Sequence, residues 1–181
     1  MRFEIRFVGF GGQGIIKSGI ITAAAASVHG GKNAVQTQSY GPESRGGACR
    51  SEVVISEEEI DFPKVVEPDV LVLMSQHAYN EYAENVKAGG MILLDPDMIP
   101  HEKDLRNVKV FRIPATKIAE VLGRKIVANI VMLGAIAALT GVLDKNALKE
   151  SIKENIPRGT EELNLAAFEK GYEYGKNLLK S

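Results

Sequence analysis

The sequence has very little cysteine: Cys49 is the single thiol in 181 residues. One thiol cannot close an internal disulfide. It also cannot hold an iron–sulfur cluster, which takes about four cysteines. If the protein takes part in electron transfer, the metal centres sit on other chains, and a reducing cytoplasm is the expected setting. Histidine is scarce too. His29, His77 and His101 are scattered without metal-ligand spacing and read as surface or helix-end residues, so no metal site is expected. No apolar run is long. Ile130 to Leu139 falls well short of the roughly 18 residues of a membrane span and reads as a buried core helix. Charge of one sign is missing as well: 22 Lys and Arg against 23 Asp and Glu leave a net −1, which excludes a nucleic-acid binder recognised by bulk charge. Met1 to Phe7 alternates charge and hydrophobe, unlike a targeting segment, so no membrane association is expected.

What remains has the composition of an ordinary globular chain, long enough to bury a core as one domain over residues 1–181. Arg2 to Val8, Asn33 to Gln38, Ala48 to Ser56, Val70 to Met74, Met91 to Leu94 and Val108 to Ile113 read as strands. Ile15 to Val28, Gln76 to Lys87, Thr116 to Leu122, Val127 to Leu139, Lys145 to Glu154 and Glu161 to Leu179 read as helices. Strands separated by helices predict an α/β fold: a single layered domain whose mostly parallel or mixed sheet is flanked by helices, with a Rossmann-like start. Ala48 to Ser56 is expected to lie antiparallel at one side.

Gly9, Gly11 and Gly14 carry the G-x-G-x-x-G spacing between the first strand and the first helix. Such glycines let a backbone approach a phosphate at a helix N-terminus. The acid that holds a dinucleotide ribose roughly 20 residues further on is absent, because no Asp or Glu occurs between Glu4 and Glu43. The turn therefore leaves three readings: a nicotinamide-dinucleotide site without that acid, simply close packing, or a site for another anion. Arg6, Lys17, Lys32, Arg45 and Arg50 face only Glu43 in this part of the chain, which is locally basic or merely well solvated. Cys49 has no histidine near it in sequence and reads as structural. Asn129 reads as a helix-start or core hydrogen bond, and Gly134 with Ala138 as a close helix contact.

GFGGQG (Gly9 to Gly14) followed by QSYGPESRGG (Gln38 to Gly47) closely resembles the gamma subunit of 2-oxoacid:ferredoxin oxidoreductases. NIVMLGA (Asn129 to Ala135) and NLAAFEKGYEYG (Asn164 to Gly175) extend the resemblance over nearly the whole chain. It implies a part in CoA-dependent oxidative decarboxylation of a 2-oxoacid to an acyl-CoA, with reduction of ferredoxin. Thiamine diphosphate and iron–sulfur clusters would be bound by other chains: alpha and beta subunits that hold the thiamine, and a delta-type, ferredoxin-like subunit. No cofactor is assigned to this chain and no residue is assigned a catalytic role. Gly11, Gly12, Gln13 and Arg45 are expected to line a surface facing coenzyme A or another subunit. The motif wording is nearest the 2-oxoglutarate branch, with branched-chain 2-oxoacids next and pyruvate enzymes in the same family. Two other readings stand beside this one: a stand-alone nucleotide-binding oxidoreductase, and a scaffold subunit with no ligand. An isolated subunit would expose apolar surface and self-associate through it.

Overall fold

The computed structural model describes residues 1–40 and 48–181. Six strands form one sheet: β1 (Arg2–Phe10), β2 (Asn33–Tyr40), β3 (Ala48–Ser56), β4 (Val70–Leu73), β5 (Met91–Leu94) and β6 (Lys109–Arg112). Their order is β2-β3-β1-β4-β5-β6. β1, β4, β5 and β6 run parallel, while β3 pairs antiparallel with both β1 and β2. The mixed α/β sheet expected from the sequence is present, with one correction. β3 is antiparallel but interior, and the side position belongs to β2. The reason is visible in burial. Val53, Val54 and Ile55 are inaccessible in succession, so β3 is covered on both faces. β2 alternates Gln, Thr and Ser and has no fully buried residue.

The helices are α1 (Ile15–Ser27), α2 (Gln76–Tyr82), α3 (Ala115–Val121), α4 (Ala128–Thr140), α5 (Lys145–Glu154) and α6 (Glu161–Lys180). A 3₁₀ turn at Lys125–Val127 leads into α4. α1, α4 and α6 cover one face of the sheet over a core that includes Ile5, Phe7, Val53, Val72 and Phe168. A smaller cluster around Leu71, Leu73, Tyr79 and Ile92 fills the face under α2. α4 is apolar on nearly every side and buried along almost its whole length, as befits a helix packed between α6 and the rest of the core. No helix is long and apolar enough to cross a membrane among the described residues.

Helix starts divide into two groups. α2 is capped by Ser75, whose hydroxyl accepts from the Ala78 amide, and α5 by Asp144, which accepts from Ala147. In α3 the Thr116 amide donates to the buried Asp95 carboxylate at 2.9 Å. α1, α4 and α6 have no side-chain cap. All three begin at the same place, beside the glycine turn.

Candidate functional site

The turn from Phe10 to Gly14 links the carboxyl end of β1 to α1. Its glycines have different jobs. A Cβ on Gly9 would collide with Gln13 and Ile15, and one on Gly14 would collide with the Asn129 amide. Gly14 is also left-handed, at φ 74°. Among the described residues nothing lies within 4 Å of a Cβ added to Gly11 or Gly12, so no packing against them demands a glycine there. Gly12 has φ 94°, which accounts for that glycine by backbone conformation. For Gly11 the described residues show no constraint.

Gln13 turns inward. Its Oε1 accepts from the Phe10 amide at 3.0 Å, and its Nε2 donates to the Met74 carbonyl at 2.7 Å. Phe10 ends β1 and Met74 follows β4, and these two strands lie where the chain order reverses across the sheet. In open α/β sheets that crevice is where a dinucleotide pyrophosphate lies. Here a carboxamide staples it shut. β3 also stands between β1 and β2, so the strand that would bring a ribose-holding acid beside β1 is displaced. Together with the missing acid, this geometry opposes a nicotinamide dinucleotide.

Above the turn is a cleft of about 550 Å³, within the usual range of small-molecule sites. Gly11, Gly12 and Gly14 form one rim. The first turn of α1, the start of α4 and the start of α6 form the walls, which are mainly apolar. Lys17 and Arg124 are the charged side chains among the lining residues. Two nearly buried carboxamides, Asn129 at 7% exposure and Asn164 at 6%, also line it.

Of the residues expected from the sequence, Gly11 and Gly12 thus meet at the cleft, Gln13 is spent on the staple, and Arg45 lies outside the described residues. The basic residues of the N-terminal part do not form one patch. Arg6 is buried and paired with Glu52 at 2.6 Å. Lys17 donates to the Asn155 carbonyl and Lys32 to the Val142 carbonyl, while Arg50 donates to the Tyr82 hydroxyl on the other sheet face. Cys49 is buried at the cleft, and burial pushes its thiol pKa up, which keeps it protonated and unreactive. Asn129 makes the hydrogen bond expected of it, to the Gly14 carbonyl at 3.2 Å. Sequence reasoning did not bring Arg124 and Asn164 to the site. The signal for Asn164 was in hand, because the two later resemblance segments begin at Asn129 and Asn164, the pair that lines the cleft.

The family model for pyruvate ferredoxin/flavodoxin oxidoreductase matches residues 4–174. The chain belongs to this family. Among its relatives, the 2-oxoglutarate synthase subunit KorC of Methanocaldococcus jannaschii is 54% identical over 180 residues, covering 98% of this chain and 96% of that protein. A solved gamma subunit of a keto/oxoacid ferredoxin oxidoreductase from Geobacter sulfurreducens superimposes with a TM-score of 0.88 at 43% identity, over 97% of both chains. The 2-oxoglutarate:ferredoxin oxidoreductase of Magnetococcus marinus, solved with 2-oxoglutarate, coenzyme A and succinyl-CoA bound, matches with a TM-score of 0.87 at 28% identity. It covers 99% of this chain but 32% of that one. In this oxidoreductase family the same fold therefore occurs both as a separate chain and as a third of a longer one, and the resemblance read from the two glycine-rich motifs holds over the full length.

Proposed function

We propose that this chain is the gamma-type subunit of a 2-oxoglutarate:ferredoxin oxidoreductase, acting as one domain over residues 1–181, and that its cleft faces coenzyme A. The observation that carries the substrate is the end-to-end identity of 54% with a 2-oxoglutarate synthase subunit. The cleft supports the ligand. The N–H groups of Ile15, Ile16 and Lys17 have no acceptor among the described residues, since the first helical bond of α1 runs from Ser18 to Gly14. Unpaired amides at a helix N-terminus suit a phosphate, and the bare backbone at Gly11 and Gly12 lets one come close.

In the assembled cytoplasmic enzyme, alpha and beta subunits would bind thiamine diphosphate, which would supply the carbanion chemistry of decarboxylation, and a delta-type subunit would hold iron–sulfur clusters that pass the electrons to ferredoxin. One cysteine cannot ligate a cluster, so this chain's own work is to bind and orient. It admits coenzyme A, holds its phosphates away from water, and packs against the thiamine-binding subunits. Gentle anaerobic purification of the tagged chain from its own cells tests the assembly. Thiamine diphosphate, iron and partner chains should co-purify in fixed ratio, and 2-oxoglutarate should outpace other 2-oxoacids. Recovery of the chain alone, free of both cofactors, would end the reading. Replacing Arg45 with alanine in that complex should raise KM for coenzyme A. Unchanged CoA kinetics with normal assembly would leave a scaffold role.

A further inference from the structure

The cleft has a feature that a phosphate does not explain. Asn129 and Asn164 are each more than nine-tenths buried, and each carboxamide is locked by its nitrogen. Asn129 Nδ2 donates to the Gly14 carbonyl at 3.2 Å, and Asn164 Nδ2 donates to the Thr160 carbonyl at 2.9 Å. Gly14 and Thr160 are the N-cap residues of α1 and α6. With the nitrogens committed, the oxygens point away from those bonds. Neither Oδ1 receives a hydrogen bond among the described residues. Buried carboxamides in folded proteins normally satisfy both ends. Two acceptors left over in a mainly apolar cleft are shaped for a ligand that brings donors.

The same cleft has donors at its α1 end and cations, Lys17 and Arg124, but no acid among its described lining residues. The acids of α6, Glu161 and Glu162, lie outside the lining, and Glu161 accepts from the Gly159 amide. The cleft is thus polarised: donors and positive charge near the glycine turn, two acceptors along the α4 and α6 wall, apolar surface between.

We propose that Asn129 and Asn164 are specificity-determining residues of this cleft, their oxygens accepting N–H groups from the amide-bearing arm of a ligand whose phosphate end lies at the N-terminus of α1. The inference rests on the coenzyme A reading and adds which part of that molecule this wall selects. Removing one acceptor while keeping its volume should weaken binding by about tenfold, the usual worth of a hydrogen bond to a buried polar group.

Asn164→Leu is the cleaner variant, because Asn129 also fixes the glycine turn. In the assembled enzyme it should raise KM for coenzyme A about tenfold, leaving kcat and the KM for the 2-oxoacid in place. Pantetheine, which has the amides without the phosphates, should lose inhibitory strength by the same factor. ADP, which has phosphates without the arm, should inhibit as before. Thermal melting of the variant subunit shows whether it folds. Should Asn164→Leu disturb folding, Asn164→Asp, which keeps an oxygen acceptor and adds negative charge, should leave inhibition by pantetheine in place and weaken inhibition by ADP. Equal CoA kinetics in a folded, assembled Asn164→Leu enzyme overturns the inference, as does equal loss for ADP and pantetheine. The underlying reading fails separately, in the wild-type complex, if coenzyme A gives residues 11–17 and 160–164 no protection from hydrogen exchange.

Discussion

Four glycines within six residues look alike in sequence, and the structure separates them. Gly14 is left-handed and sits against Asn129, so Gly14→Ala brings backbone strain together with a collision. It should cost the isolated subunit about 1–3 kcal/mol, read as a fall in Tm. Gly11 has free space, so Gly11→Ala should leave that Tm nearly unmoved, within about 0.5 kcal/mol. If the cleft faces coenzyme A, Gly11→Ala should nevertheless raise KM for it in the assembled enzyme. A Gly11 variant with unaltered Tm and unaltered KM would show the position to be idle. Spacing exposed the turn but not this division of labour, because it depends on Asn129, 115 residues away. The same holds for Gln13: in sequence it is a polar residue in a ligand loop, and only the approach of Met74 makes it a staple. Cys49 was legible, since a lone thiol with no histidine near it is ordinarily a buried structural residue. Its raised pKa means less thiolate at any pH than a free cysteine has. Reaction with a thiol reagent should be slow in the native protein at neutral pH and fast once the chain is unfolded, with the native midpoint displaced to higher pH.

Among the elements, the contact of α4 with α6 is the closest. A Cβ on Gly134 would run into the Phe168 carbonyl, and one on Gly171 into the Val131 carbonyl. These are backbone atoms, so the helices would have to part. Gly171→Ala should therefore destabilise by about 1–3 kcal/mol or more, although alanine is the better helix former by about 1 kcal/mol. A stabilised Gly171→Ala protein in denaturant titration would contradict this contact. α5 is tied to α6 by Glu169, which Lys149 and Lys145 reach at 2.9 and 3.0 Å. The hydrogen bond from Lys149, helped by Lys145, lowers the Glu169 pKa. A carboxyl lowered in the folded state adds stability above its unfolded pKa and loses it as pH falls through the folded value. The pair is largely solvated, so Glu169→Gln should remove well under about 1 kcal/mol at neutral pH and nothing once the acid is titrated. Periodicity revealed the strands and helices nearly in full, and β3, β5 and α5 to the residue. It carried the second helix on to Lys87, whereas α2 stops at Tyr82. The Asn85 side chain accepts from Arg6 on β1, and the Lys87 amide donates to the Pro68 carbonyl. Those contacts come from distant sequence and override the local pattern. Strand order was likewise invisible, because the apolar run Val53 to Ile55 shows a strand covered on both faces but not which strands flank its edges.

At the scale of the molecule, the apolar residues left outside are not evenly spread. Ile20, Tyr40 and Ile126 line the cleft while 38%, 69% and 59% exposed, and Val121, at 87%, precedes the 3₁₀ turn that carries Ile126. A chain that kept such a rim in water would lose free energy of about 25 cal/mol for every Å² that a partner could cover. The rim also borders the glycine turn, so whatever covers it governs access to the cleft. In the Magnetococcus marinus enzyme this fold is about a third of one polypeptide. For a subunit of an oxidoreductase complex, another subunit or a second copy is a surface available to cover the rim. The isolated protein should therefore elute above its 19.6 kDa monomer mass in a concentration-dependent way on size exclusion with light scattering. Ile126→Lys should return it to monomer without lowering Tm, because Ile126 is exposed and its neighbour Val127 carries the buried contact. The same variant should be recovered with fewer partner subunits in co-purification. A monomeric wild-type chain, or an Ile126→Lys chain that assembles normally, would place the subunit contact elsewhere and leave the rim to the ligand alone.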